Sequence, residues 1–237
     1  MNNIGLLIIA TKKYNKFLQN LILSADKFFL KNHSVTYFVF TDEIEQNVFS
    51  KRNIKKIKIE HKEWPFMTLK RYEIFHNNKK NLNEMDYLYY LDVDSLFIDD
   101  VSDEILSDFV VTEHHGFWKL RGTPEDNEKS TAYINPNEKI HYICGGFNGG
   151  KKDTFLKMSE ILSNNINLDL KNNIIAKWHD ESHINKYVVD NKPTLRLSPD
   201  YCYHESYKQP NFFTGTYMFN SKQPKILALS KDSNFKS

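Results

Sequence analysis

Three short stretches concentrate the side chains that could do chemistry. Residues 87–100 read YLYYLDVDSLFIDD, an apolar and aromatic run that stops on Asp92 and Asp94. A run of that length reads as a buried strand. A carboxylate withdrawn from water is costly unless its charge is compensated, so two acids there need a cation, a surface turn or a functional site. Residues two apart in a strand point to one side, and two carboxylates on one side suit a hard divalent cation bridging phosphates. The plain reading is an ordinary strand-to-turn pair of aspartates.

The second stretch is HYICGGFNGGKKD, where Gly145, Gly146, Gly149 and Gly150 gather half of the chain's 8 glycines. Glycine lets a backbone take positive φ or approach a ligand closely, and the plain reading is a glycine-rich turn. Gly145, Gly150 and Lys151 match a phosphate loop in part, but Lys152 stands where the magnesium-binding hydroxyl belongs, which argues against that reading.

The third stretch is KWHDESHINKY. Ile184, Tyr187 and Val188 form a buried helical stripe, Asp180 fits an N-cap, and Glu181 falls in the positive first turn. That account explains both acids without chemistry. His179 and His183 stand four apart as in zinc hydrolases, but the glutamate follows the wrong residue and the motif is broken. Trp178 beside two acids and a histidine also has the makings of a sugar site.

The positioning elements follow from periodicity. GLLIIA is a buried first strand, and Tyr14, Phe17, Leu18, Leu21, Ile22, Ala25, Phe28 and Phe29 recur at helical steps. SVTYFVFTD is a second strand, TLKRYEIFHN a second helix, YLYYL and DFVV further strands, and KDTFLKMSEILSN a further helix. Alternating strands and helices argue for an α/β fold with a mostly parallel sheet flanked by helices. Such sheets bind ligands at the C-terminal ends of their strands, where Thr11, Asp92 and Asp94 fall. Residues 121–137 are polar and read as a long loop. One domain is expected over residues 1–237, with residues from about 211 as a C-terminal arm.

The bulk composition excludes several classes. With 32 Lys and Arg against 30 Asp and Glu, the net charge of +2 gives no basic field for nucleic acid. The 13 Tyr and 17 Phe supply a substantial core. Cys144 and Cys202 are too few for a disulfide framework, which favours a reducing compartment. No apolar run reaches membrane-spanning length, so a cytoplasmic protein without a membrane span is expected.

Together these stretches resemble one family: the retaining α-1,3-galactosyl- and N-acetylgalactosaminyltransferases that include the ABO blood-group enzymes and bacterial relatives. IGLLIIATKKY, YFVFTD, LDVD, AYI, FNGG, WHDESHINKY and KPTLRLSPDYC stand in family order over nearly the whole chain, and WHDESHINKY is the most specific of them. The resemblance implies a Rossmann-like nucleotide-sugar-binding (GT-A type) fold. It also implies transfer of GalNAc or Gal from UDP-GalNAc or UDP-Gal to O3 of a β-galactoside oligosaccharide. Animal members carry an anchor and stem before this point, so a bacterial or phage member is expected.

The resemblance assigns roles by position. Ala10, Thr11 and Tyr14 would line the uracil pocket, with Val93 beside the ribose. Asp92 and Asp94 would hold Mn2+ against the diphosphate, and Lys231 would close over it from the tail. Arg71, Cys144, Gly145, Gly146, His179 and Asp180 would meet the donor sugar, and Glu181 would be the acid below the reacting carbon. His114, Thr123 and Trp178 would hold the acceptor, and His204 stands where animal members place an acceptor-binding acid. A glycine at position 146 goes with GalNAc in the family. Metal dependence is expected because both aspartates are present. The competing reading is a non-catalytic module that binds a nucleotide sugar or glycan.

Overall fold

The structure, a computed structural model, describes residues 1–205 and 223–231. In chain order its principal elements are β1 (Asn3–Ala10), α1 (Asn15–Phe28), β2 (Ser34–Thr41), β3 (Asn53–Lys58), α2 (Phe66–Leu69), α3 (Arg71–Asn77), β4 (Tyr87–Leu91) and β5 (Ser95–Phe97). Then come β6 (Phe109–Glu113), β7 (Ile143–Lys151), α4 (Lys152–Lys171), α5 (Asp180–Asp190), β8 (Leu195–Leu197), β9 (Tyr203–His204) and β10 (Ile226–Ala228).

Seven strands form one sheet in the order β3-β2-β1-β4-β7-β6-β8. All neighbours are parallel except β7, which runs antiparallel to both β4 and β6. The alternation along β1 decides what each face packs. Ile4, Leu6 and Ile8 join Leu18, Leu21, Ile22 and Ala25 of α1, while Leu7 joins the opposite core with Tyr72, Phe75, Phe155, Leu162 and Ile184. The sheet is therefore covered on both sides, as its apolar strands require.

The chain runs from β1 outward to β2 and β3, then returns to β4 on the other side of β1. That reversal opens a crevice at the C-terminal ends of β1 and β4, so Thr11 and Asp92 flank it. Beside it lies a second sheet in the order β5-β10-β9. Among the described residues, no helix is long and apolar enough to cross a membrane.

Several expectations need correction. The glycine-rich stretch is strand β7, not a turn; a side chain at Gly149 would run into the Leu88 carbonyl and the Tyr89 ring of β4. Gly149 and Gly150 serve close packing against the neighbouring backbone. Asp92 to Asp94 lie in a turn beyond β4, so strand alternation does not set their directions. The helix expected over TLKRYEIFHN is two short helices that meet at Lys70. Asp180 is not the N-cap: His179 holds that place and Asp180 is the first helical residue. Of the expected arm, residues 211–222 and 232–237 lie outside the described residues.

Candidate active site

One buried cation ties two acidic stretches together. Arg71, at the start of α3, is 6% exposed. Its Nη1 lies 3.2 Å from Asp92 Oδ1 and its Nε 2.9 Å from Asp180 Oδ2. It also donates to the Gly145 carbonyl at 3.3 Å and lies over the Tyr90 ring at 4.4 Å. The Tyr90 hydroxyl donates to the same Asp92 oxygen. Burial pushes the Asp180 carboxyl up, to about 7, against the pull of the Arg71 guanidinium.

Across the turn, Asp94 is buried, and Lys231 Nζ lies 2.9 Å from its Oδ2. Burial raises the Asp94 carboxyl and the Asp92 charge raises it further, while Lys231 opposes both. Burial would lower the Lys231 ammonium, but Asp94 and Asp92 outweigh it and push it up. The tail reaches this position because β10 inserts between β5 and β9, and Leu229 N then donates to the Asp94 carbonyl at 2.8 Å. Lys231 also lies over the Tyr14 ring, 5.2 Å from its centroid.

Among the described residues, no three His, Cys, Asp or Glu side chains converge on a preformed metal centre. His183 is buried 3.8 Å from Asp169, while the His179 ring packs edge-on against Trp64 at 5.1 Å. The two histidines thus have different partners. Asp92 and Asp94 have the donor chemistry for a hard divalent cation that takes its other oxygens from substrate and water.

Glu181 sits one helical residue beyond Asp180. The Gly145 N–H donates to its Oε2 at 2.8 Å, and the Tyr142 hydroxyl lies beside the same carboxylate. Burial pushes this acid up to about 7, against the pull of those two donors. The residue before the pair, His179, has φ 53° and ψ −126°, a conformation that side-chain-bearing residues seldom take. Gly146 adjoins the acids too. A Cβ there would lie 2.9 Å from Cys202 Sγ and 3.1 Å from Asp92 Oδ2.

The residues expected to hold an acceptor form one connected wall. Trp178 Nε1 donates to Thr123 Oγ1 at 2.8 Å, and the Trp178 ring is half exposed. Thr123 lies beside the Tyr142 hydroxyl, and the His114 ring packs on Tyr142 at 5.7 Å. His115 bridges His114 and His204, at 4.6 and 6.3 Å. Burial holds His114 near 4, so its imidazole is neutral at pH 7. The Gly116 N–H donates to its Nδ1, which leaves the proton on Nε2. Glu125 accepts from Lys177 N and Asn127 N, tying the loop that carries Thr123 to the segment that carries Trp178. Asp169 on α4 secures the same loop through Ser130 Oγ and Thr131 N.

At the other end of the crevice, Thr11 Oγ1 lies 2.9 Å from His61 Nδ1, and Val93 is buried in the turn between the two aspartates. Ala10 closes β1 and Cys144 is buried on β7. The contacts join Asp92, Asp180 and Gly145 through Arg71, Asp94 to Lys231, Glu181 to Gly145, and Trp178 to Thr123. Sequence reasoning passed over Tyr142, Tyr90, His61 and Asn185. Tyr142 and Asn185 lie within stretches already marked, yet their partners are far off in the chain.

The sequence profile of glycosyltransferase family 6 matches residues 1–226. The chain belongs to glycosyltransferase family 6. Over 213 residues it is 36% identical to the histo-blood group ABO system transferase 1 of Rattus norvegicus, covering 85% of this chain and 61% of that protein. Over 217 residues it is 31% identical to the globoside alpha-1,3-N-acetylgalactosaminyltransferase 1 of Homo sapiens, covering 87% and 62%. Over 216 residues it is 32% identical to the O-antigen biosynthesis glycosyltransferase WbnI of Escherichia coli, covering 86% and 89%. The chain thus spans about three-fifths of the length of the two animal relatives. The family 6 assignment accords with the GT-A type α/β fold and its mostly parallel sheet.

Proposed function

We propose that this family 6 chain is a retaining glycosyltransferase that moves GalNAc, or Gal, from a UDP-sugar to O3 of a β-galactoside in α linkage. The observation that carries this reading is that one acid from each pair meets on Arg71. Asp92 is 3.2 Å and Asp180 2.9 Å from that guanidinium, with Glu181 next in the helix. Names among the relatives support the sugar: one is a globoside alpha-1,3-N-acetylgalactosaminyltransferase.

Asp92 and Asp94 would hold a divalent cation, Mn2+ in this reading, which supplies charge stabilisation to the departing UDP. Lys231, 2.9 Å from Asp94, would share that task with the cation. Breaking the sugar–phosphate bond leaves the anomeric carbon oxocarbenium-like, and a carboxylate on its other face lowers the barrier. Glu181 would take that role. One of its oxygens is held by Gly145 N–H, so the group is oriented before substrate arrives. Arg71 holds Asp180 and Asp92 to a single guanidinium. Trp178, Thr123, His114 and His204 form the acceptor wall, the indole offering an apolar face to a pyranose.

The preference for GalNAc rests on Gly146. A methyl there would press on Cys202 and on Asp92, so glycine keeps both space and the aspartate's position. The test is UDP release from UDP-GalNAc and from UDP-Gal with lactose as acceptor, with and without Mn2+, followed by linkage analysis of the product. UDP-sugar binding without any transfer would instead identify a non-catalytic binding module.

A further inference from the structure

We infer that Asn185 is the positioning residue that sets where the Glu181 carboxylate stands, an inference that rests on the role proposed above for Glu181. Asn185 is on α5, one turn after Glu181, and is 2% exposed. Its amide makes three hydrogen bonds. Oδ1 accepts from Ile143 N at 2.8 Å, and Nδ2 donates to Ile143 O at 2.9 Å and to Glu181 O at 2.9 Å.

The first two bonds replace a strand. β4 pairs with β7 only from Leu91↔Phe147 onward, and the β6–β7 register shifts between Val111 and Thr112. Ile143 and Gly145 therefore turn backbone groups toward α5. Asn185 takes both groups of Ile143, and Glu181 Oε2 takes the Gly145 N–H at 2.8 Å. Residues two apart along a strand are roughly 6.6 Å apart, and one helical turn rises about 5.4 Å. Side chains four apart on α5 thus match alternate residues of β7. Asn185 fixes the helix on the strand, and the Glu181 carboxylate inherits its place from that match.

Only an amide fits the pattern: one acceptor toward an N–H and two donors toward carbonyls. An ionised aspartate in its place would face two carbonyl oxygens without a proton, and alanine would leave both groups of Ile143 unpaired in the interior. Neither consequence requires Asn185 to touch substrate.

The experiment measures kcat for UDP release from UDP-GalNAc and UDP-Gal with lactose, the Kd for UDP and the Tm. It uses wild type, Asn185→Ala, Glu181→Gln and the double variant. Asn185→Ala is expected to lower kcat per folded molecule by about tenfold or more, by analogy with the cost of a misplaced catalytic group, with UDP affinity within about twofold. In the Glu181→Gln background the same change should have little further effect on kcat, because it acts through Glu181. A lowered Tm with unchanged kcat, or an equal fold-loss in both backgrounds, overturns the inference. Wild-type turnover by Glu181→Gln overturns the role of Glu181 itself, independently of Asn185. Asn185→Ser, which keeps a hydroxyl to pair with a backbone group of Ile143, takes the place of the alanine variant where that variant does not fold, with the same expected split between kcat and UDP affinity.

Discussion

Asp92 with Asp94 and Asp180 with Glu181 are both carboxylate pairs against one sheet edge, yet the protein treats them differently. The first pair lies in a turn, each acid facing a different cation, Arg71 or Lys231. The second lies in the first turn of a helix, where burial pushes both acids to about 7. Asp180 has Arg71 beside it, whereas Glu181 accepts from the neutral Gly145 N–H and has the Tyr142 hydroxyl next to it. The first arrangement sets each acid against a cation and suits the binding of a further one. The second leaves Glu181 a carboxylate whose charge is held in place with little compensation, ready to face a positive charge that develops during reaction.

The largest test breaks the first pair. Replacing both Asp92 and Asp94 by Asn, or chelating divalent metal with EDTA, is expected to lower turnover by at least ~1000-fold, in line with the several kcal/mol a bound metal contributes. Mn2+ should restore the chelated wild type but not the double variant. Full activity in EDTA would remove the distinction between the pairs.

Next, Glu181→Gln keeps the size and the bond from Gly145. It should lower kcat by about a hundredfold, roughly 3 kcal/mol, while leaving UDP affinity intact. For the wild type, kcat/KM should rise with pH through about 7, because the ionised carboxylate is the competent form and burial raises its pKa to about 7. That limb should be missing from the Gln variant. A wild-type profile flat from pH 5 to 8 would refute the assignment.

Lys231→Ala should weaken UDP binding by about tenfold, or ~1.4 kcal/mol. The ammonium is more than a third exposed, so solvent screens its contribution. A loss confined to kcat, with UDP affinity unchanged, would place Lys231 elsewhere in the cycle.

The smallest effect is on stability, and its sign is informative. The folded pKa of Glu181 is above the ordinary value of 4.5. Its contribution is therefore fully present below that value and is lost as pH rises through about 7. Glu181→Gln should thus be more stable than wild type at pH 8, by on the order of 1–3 kcal/mol, and close to it at pH 4. An acid serving only the helix dipole predicts the reverse, a loss of about 0.3–1 kcal/mol at pH 8. Thermal melts at the two pH values distinguish them.

Much of this was legible in the residues themselves. The apolar run into Asp92, the helical stripe of α1 and the block from Trp178 to Tyr187 are local patterns, and each lies at the crevice or in the core as periodicity requires. The remainder depends on partners remote in the chain. Four glycines in six residues looked like a turn because a glycine's use in close strand packing cannot be seen without the neighbouring strand. β3, with the sequence NIKKIK, carries the lysines of a sheet edge and lacks a strong apolar signal. Asn185 reads as an ordinary helical polar residue until Ile143 is placed opposite it. Lys231 came from family resemblance, and its contact with Asp94 depends on β10, a three-residue strand.

The order of β5, β10 and β9 has a consequence for biosynthesis. The middle strand of that small sheet is the latest of the three in the chain, and the two outer ones wait for it. A ribosome delivers the N-terminal side first. The seven-stranded sheet, the aspartate turn and helix α5 can all be in place while the segment bearing Lys231 is still inside the exit tunnel. A nascent chain therefore has its acids before it has the cation that closes over them, and the site matures only after residue 231 has emerged.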